Sequence, residues 1–96
     1  MSDLVYLRES CERFRSCLTD LAGLSDVVRV RCSLHRRTVE EALAACERVL
    51  DAARFGEPSR EAIGAAYGCV DRADEALNRI VWEAAVFAAR EATWRR

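Results

Sequence analysis

The sequence predicts an all-α fold: an antiparallel, up-down-up three-helix bundle with a long, coiled-coil-like C-terminal helix. Apolar residues recur at spacings of three and four along most of the 96-residue chain, which is the period of a helix with one buried face. The sequence has no alternating β-branched run and no Asn-Gly or Asp-Gly hairpin turn. Two short loops divide the chain into three segments, and short loops make consecutive helices antiparallel neighbours. We therefore expect residues 1–96 to form a single helical domain.

The first helix is predicted over residues 3–22. Ser2 or Asp3 can cap its start, and Gly23 follows its end, where glycine is the most common terminating residue. Its apolar stripe comprises Leu4, Leu7, Cys11, Phe14, Leu18 and Leu21.

The second helix is predicted over residues 27–54. Ser25 or Asp26 can cap its start, while Gly56 and Pro58 prevent it from continuing into the next segment. Its buried stripe is predicted to comprise Val28, Cys32, His35, Val39, Ala42, Cys46, Val49 and Ala53.

The third helix, predicted over residues 60–94 with Ser59 as its N-cap, has the most regular pattern in the chain. Its stripe keeps spacings of three and four over ten positions, of which only Glu91 is polar, and such a heptad is typical of coiled coils. The stripe comprises Ile63, Ala66, Val70, Ala73, Leu77, Ile80, Ala84, Phe87, Glu91 and Trp94.

The three predicted helices differ in length, at roughly 30, 42 and 52 Å for a rise of about 1.5 Å per residue. The first can therefore cover only part of the hairpin that the other two form. We expect residues 43–54 and 60–72 to be the part left open. Gly64 and Gly68 lie one turn apart there, and glycine inside a helix costs about 1 kcal/mol relative to alanine. Either they allow a tight crossing or kink within the chain, or they form a groove for another chain.

Charge and composition narrow the function classes. The net charge is −1, so the chain as a whole does not attract polyanions, and any nucleic-acid binding needs a local patch. All 15 basic residues are arginine, which excludes lysine nucleophiles and Schiff bases. The opening residues MSDLVYLRES carry early charges and lack the apolar segment of a signal peptide. The longest apolar run is interrupted by Glu83, so no segment is expected to span a membrane. We expect a cytoplasmic protein with free thiols and no membrane association.

The main functional prediction is a non-enzymatic protein–protein interaction module of the adaptor, inhibitor, antitoxin or chaperone type. The third helix carries more apolar surface than two shorter neighbours require, and tryptophan is a frequent anchor of interfaces. No P-loop, nucleophile elbow or Cys/His/Asn arrangement indicates an enzyme, and no cofactor is expected. The partner is expected to be another protein, a second copy in a homo-oligomer, or both. The predicted partner-binding residues are Gly64, Gly68, Trp82, Val86 and Trp94.

An arginine-rich pole supports the first alternative, binding of nucleic acid or of an acidic partner. The segment VVRVRCSLHRR carries four arginines, and on a helix these frame the buried stripe instead of forming one face. Antiparallel packing is expected to bring the arginines of the C-terminus to the same end, with acidic residues gathered at the opposite end. The candidate residues are Arg29, Arg31, Arg36, Arg37, Arg90, Arg95 and Arg96.

The second alternative is a soft-metal or thiol redox site. Cys32 and His35 stand on adjacent turns, and the loop positions are expected to bring Cys17 near Cys32 and Cys46 near Cys69. The spacing matches no established zinc motif, and buried cysteines more often act as small apolar residues.

Overall fold

The computed structural model describes residues 2–94, and in this part of the chain the structure is all-helical without a strand. The predicted all-α class is therefore confirmed. The molecule is elongated, measuring 59 × 23 × 18 Å along its principal axes. The four helices are α1 (Asp3–Ala22), α2 (Asp26–Arg31), α3 (Ser33–Ala52) and α4 (Arg60–Trp94).

The second predicted helix, expected to be continuous over residues 27–54, is instead broken at Cys32 into α2 and α3. Cys32 has φ −93° and ψ 6°, and its N–H donates to the carbonyls of Val28 and Val30. The Cys32 carbonyl still accepts from the N–H of Arg36 at 2.8 Å, so the polar backbone groups remain satisfied through the bend. The β-branched valines before Cys32 have low helix propensity, and Val28 and Cys32 are both buried at the bend.

Serine side chains begin three of the four helices, as the sequence predicted. The hydroxyl oxygens of Ser2, Ser25 and Ser59 accept hydrogen bonds from backbone N–H groups three residues later, at 3.2, 3.4 and 3.1 Å. Each such cap stabilises its helix by about 1 kcal/mol. Gly23 ends α1, with its N–H donating to the Asp20 carbonyl at 3.1 Å.

The core lies where α1 packs on the α3–α4 hairpin. Its buried apolar residues come from the three predicted stripes except for Ala76, and Leu7, Phe14, Val39 and Val70 are completely buried. The most extensive contact is between α3 and α4, followed by that between α1 and α3.

Two side-chain contacts set the direction of α1 relative to α4. The Tyr67 hydroxyl donates to Asp3 at 2.6 Å, and ten residues further along α1 the Arg13 guanidinium pairs with Asp74 at 2.9 Å. These contacts advance along both helices together, so α1 and α4 run in the same direction. The Tyr6 ring also stacks on Tyr67, with centroids 4.8 Å apart.

This placement moves the open part of the hairpin away from where the sequence suggested. Cys46, Val49, Ala66 and Val70 belong to the region expected to be open, yet all four are buried because α1 begins opposite Tyr67. Beyond Ile80, in contrast, no described residue of α4 is buried. The uncovered part of α4 is therefore its C-terminal segment, residues 81–94.

Candidate protein-binding surface

Large exposed apolar side chains are concentrated at one end of the molecule. Of the eight such residues in the described chain, six belong to α2, to the first turn of α3 or to the C-terminal segment of α4. The other two, Val5 and Phe55, lie apart from them. Clustered apolar exposure is typical of association surfaces, whereas scattered apolar residues are normal. We call this cluster the apolar end; it comprises Val27, Val30, Leu34, Val81, Trp82 and Trp94.

The apolar end exists because α2 is too short to cover α4. Six residues span only about 9 Å of helix, whereas residues 81–94 of α4 span about 21 Å. A cleft opens between the two helices, with Val27 on one side and Val86 and Phe87 on the other. Arg31 and Glu83 form an ion pair of 3.6 Å across it, which ties α2 to α4.

The structure places three of the predicted partner-binding residues at or beside this end. Trp82 has 58% of its surface exposed and Trp94 has 87%, while the half-buried Val86 lines the cleft. Gly68 and Gly64 precede Trp82 by 14 and 18 residues on the same helix, about 21 and 27 Å away. The five residues therefore do not form one site.

The two glycines do not mark a close helix crossing. A Cβ atom added at Gly64 would meet no neighbouring atom within 4 Å, and one at Gly68 would meet only the Arg72 Nη1 atom at 3.7 Å. The explanation that they permit a tight crossing within the chain is therefore wrong. Whether a partner uses this surface stays a prediction.

The predicted arginine pole forms only in part. Arg31 and Arg90 line the same cleft, so the two chain segments do meet at one end. Arg29, Arg31 and Arg36, however, pair with Asp26, Glu83 and Glu40, and those guanidinium groups are already engaged. Arg95 and Arg96 lie outside the described residues.

Seven arginines have no carboxylate within 4.0 Å among residues 2–94, and five of them stand in two rows. Arg72, Arg79 and Arg90 are seven and eleven residues apart, which places them on one flank of α4. Glu83 lies on the same flank and contacts Arg31, so this flank borders α2 and α3. Arg37 and Arg48, eleven residues apart, share one flank of α3. Arg48, Arg72 and Arg79 are not among the predicted residues, although their helical spacing is visible in the sequence.

The opposite side of the molecule is acidic. The outward surface of α1 exposes Glu9, Glu12 and Asp20, and Asp71 precedes the Arg13-bound Asp74 by one turn on α4. Charge is therefore separated across the width of the described part of the molecule, whereas the sequence predicted a separation along its length.

The thiols behave as core residues. Cys46 and Cys11 are both buried and lie near enough to influence each other's ionisation, and Cys69 also influences that of Cys46. Burial raises the pKa of the Cys11, Cys17 and Cys32 thiols, and it raises that of Cys46 to about 12. All five cysteines are free, and within residues 2–94 no three His, Cys, Asp or Glu side chains are grouped so that they could hold a metal ion.

We expect alkylation to distinguish the buried thiols from the others. In the native protein at about pH 8, iodoacetamide should modify Cys17 and Cys69 first, since thiolate formation and access both limit the reaction. Cys11, Cys32 and Cys46 should react only in urea. Peptide mass spectrometry gives the modified fraction of each thiol. Rapid labelling of native Cys32 or Cys46 would instead indicate a reactive site.

The same thiols predict a loss of stability at alkaline pH. Their folded-state pKa values lie above the ordinary value of 9.0, so their contribution is complete below about pH 9 and declines as the pH rises toward 12. Urea unfolding followed by circular dichroism should give a lower free energy of unfolding at about pH 10.5 than at about pH 8. An unchanged value would contradict the burial of these groups.

No helix in the described part of the chain is both long enough and apolar enough to cross a membrane. Comparisons with protein families, with curated proteins and with solved structures found no match for this chain.

Proposed function

We propose that this chain is a protein-binding module that docks another polypeptide on its apolar end by helix–helix packing. The observation that carries the proposal is the concentration of six of the eight large exposed apolar side chains at that end. We interpret the fold as an up-down-up three-helix bundle in which α2 and α3 together form the bent middle helix. In that arrangement, the neighbours of α4 cover only part of its C-terminal segment, leaving a helix face there open to a partner.

The composition of the apolar end supports an interface of useful affinity. Tryptophan residues are frequent energetic anchors of interfaces, and burial of apolar area contributes about 25 cal/mol per Å². Trp82 lies on the side of α4 away from the core, so covering it requires another chain. We further propose that the protein has no catalytic activity of its own. The buried thiols support this, because burial raises their pKa and keeps them protonated at neutral pH.

Substitution of Trp82 tests the proposal directly. As a probe we choose a synthetic helical peptide of about 20 residues with leucine at heptad a and d positions and glutamine elsewhere on its flanks. Trp82→Ala should weaken its binding about tenfold or more, because the Trp82 indole is one of the two largest apolar side chains of the apolar end. Binding can be followed by fluorescence anisotropy of a label on the peptide.

Phe55→Ala is the matched control, since Phe55 is also an exposed aromatic residue (91%) but lies outside the apolar end. It should leave peptide affinity unchanged. Neither substitution should lower the free energy of unfolding by more than about 1 kcal/mol, since both side chains are exposed. If Trp82→Ala lowered only the stability, or if Phe55→Ala weakened binding as much, the proposal would be wrong.

A further inference from the structure

We infer that the partner presents an acidic amphipathic helix, which lies along the face of α3 and α4 that is turned away from α1. The inference rests on the proposed function and specifies its partner. We call this face the basic seam. Its two rims are the arginine rows described above, with Arg37 and Arg48 on α3 and Arg72, Arg79 and Arg90 on α4.

Contacts between the helices place the two rows on opposite rims of one seam. Arg48 and Ala45 of α3 line a common hollow with Ala65 of α4, and Ala65 lies seven residues before Arg72 on the same flank. At the other end, the Arg31–Glu83 ion pair joins α2 to the flank that carries Arg79 and Arg90. The rows therefore run beside each other along much of the molecule.

The floor between the rims is made of small or apolar side chains. Ala45, Thr38 and Cys69 are half-buried there, and Ala76 is nearly fully buried. Leu34 has 72% of its surface exposed and continues the floor toward the cleft of the apolar end. Small residues allow a helix to approach within the usual 8–10 Å between axes, and its apolar stripe would cover Leu34.

The charges on the two rims indicate which charge the partner helix should carry. The five arginines have no carboxylate partner among the described residues, and four carboxylates on or beside their flanks, those of Glu41, Glu57, Glu61 and Glu75, also form no ion pair there. The seam therefore carries one excess positive charge, although the net charge of the whole chain is −1, and Glu57 and Glu61 stand at the start of α4, away from the apolar end. Guanidinium groups bind carboxylates with two parallel hydrogen bonds, and charges flanking an apolar seam select the partner in helix–helix association. Glu or Asp on both flanks of an apolar stripe fits this face.

Two other occupants fit less well. A second copy could offer only its acidic α1 surface, but the outward residues there are polar except for Val5, and contact between unlike faces does not close into a symmetric dimer. A nucleic acid would leave Leu34 and the alanines of the floor facing phosphates. Both occupants remain distinguishable outcomes of the test below.

The experiment compares three peptides that share the leucine stripe of the glutamine probe and differ only in their flanking residues. The glutamate peptide should bind about tenfold more tightly than the glutamine peptide, and the lysine peptide should bind most weakly. Raising NaCl from about 50 mM to about 500 mM should remove most of this difference, because the charges are solvent-exposed.

Charge-reversal substitutions test whether the arginines of the basic seam cause the preference for the glutamate peptide. The double substitution Arg72→Glu with Arg79→Glu should weaken the glutamate peptide about tenfold or more while changing the glutamine peptide little. Arg8→Glu is the matched control, because Arg8 is exposed on α1 away from the seam. Circular dichroism should show unchanged helicity in both variants, since each altered side chain is exposed.

Each contrary result has a defined meaning. Equal affinity for the three peptides would overturn the inference and leave the proposed function standing, whereas no binding of any peptide would overturn both. Tighter binding of a 20-residue single-stranded oligonucleotide, through the same arginines, would assign the seam to polyanions instead. Assemblies that form with rising protein concentration and exclude the glutamate peptide would assign it to a second copy.

Discussion

Replacing Phe14 by alanine lowers the free energy of unfolding by about 3–5 kcal/mol, the usual range for removal of a buried aromatic ring. The ring is completely buried, in the middle of the stripe through which α1 packs on the hairpin. The loss combines apolar surface returned to water with the cavity left behind. Domains of this size have a total stability of about 5–15 kcal/mol, so the variant should be marginally folded. Urea denaturation followed by circular dichroism measures the change.

Phe55→Ala again supplies the control, since it removes the same ring from an exposed position in the loop before α4. Its free energy of unfolding should stay within about 0.5 kcal/mol of the unsubstituted protein. A cost below about 1 kcal/mol for Phe14→Ala would mean that α1 is not docked through this ring. Because Phe14 is completely buried and adds no exposed surface to the apolar end, probe affinity at temperatures where the variant remains folded should not change.

The sequence was sufficient to identify the core because helical spacing reports burial directly. Leu7, Phe14, Val39 and Val70 occupy stripe positions on three different predicted helices, and each is completely buried. The serine caps were equally predictable, since a cap depends only on the first turn of its own helix.

The features that the sequence did not reveal depend on contacts between distant residues. The position of α1 along α4 is set by Tyr6, Tyr67 and Asp3, whose stacking and hydrogen bond join residues more than 60 positions apart. No local sequence pattern predicts such a contact. The open region was therefore predicted at the other end of the hairpin, over residues 43–54 and 60–72. The bend at Cys32 escaped notice because Val28, Cys32 and the half-buried His35 stay on one stripe with or without it.

Two further surfaces could be recognised from the sequence if more than one stripe is sought on each helix. Val27, Val30 and Leu34 are themselves spaced by three and four, so they form a second apolar stripe on the outer side of α2 and the start of α3. The arginine rows likewise follow helical spacing. A search for every stripe on each helix, polar as well as apolar, could have found both surfaces, although only the packing shows that they adjoin.

Ala88→Pro should separate the function of the C-terminal segment from the stability of the core. Proline at residue 88 removes the N–H that the Ala84 carbonyl would accept, and its ring clashes with that carbonyl, at a cost of about 3 kcal/mol or more within a helix. Phe87 is the last residue of α4 that packs against the core, so the segment after it can bend away or fray without opening the bundle. Global unfolding should therefore change by about 1 kcal/mol or less. Binding of the leucine-stripe peptides should weaken about tenfold or more, because the wall of the cleft around Val86 and Trp94 is displaced.

Ala73→Pro provides the contrast, since Ala73 is completely buried in the middle of α4. At residue 73 the helix cannot bend away or fray locally, because core contacts lie on both sides of it. Proline there should therefore lower the free energy of unfolding of the whole protein. Hydrogen exchange should show lost protection only after about residue 84 in Ala88→Pro and throughout the chain in Ala73→Pro. Equal destabilisation by the two prolines would mean that residues 81–94 unfold together with the core. Full binding by Ala88→Pro would mean that the last turns of α4 are not part of the interface, whatever Trp82 contributes.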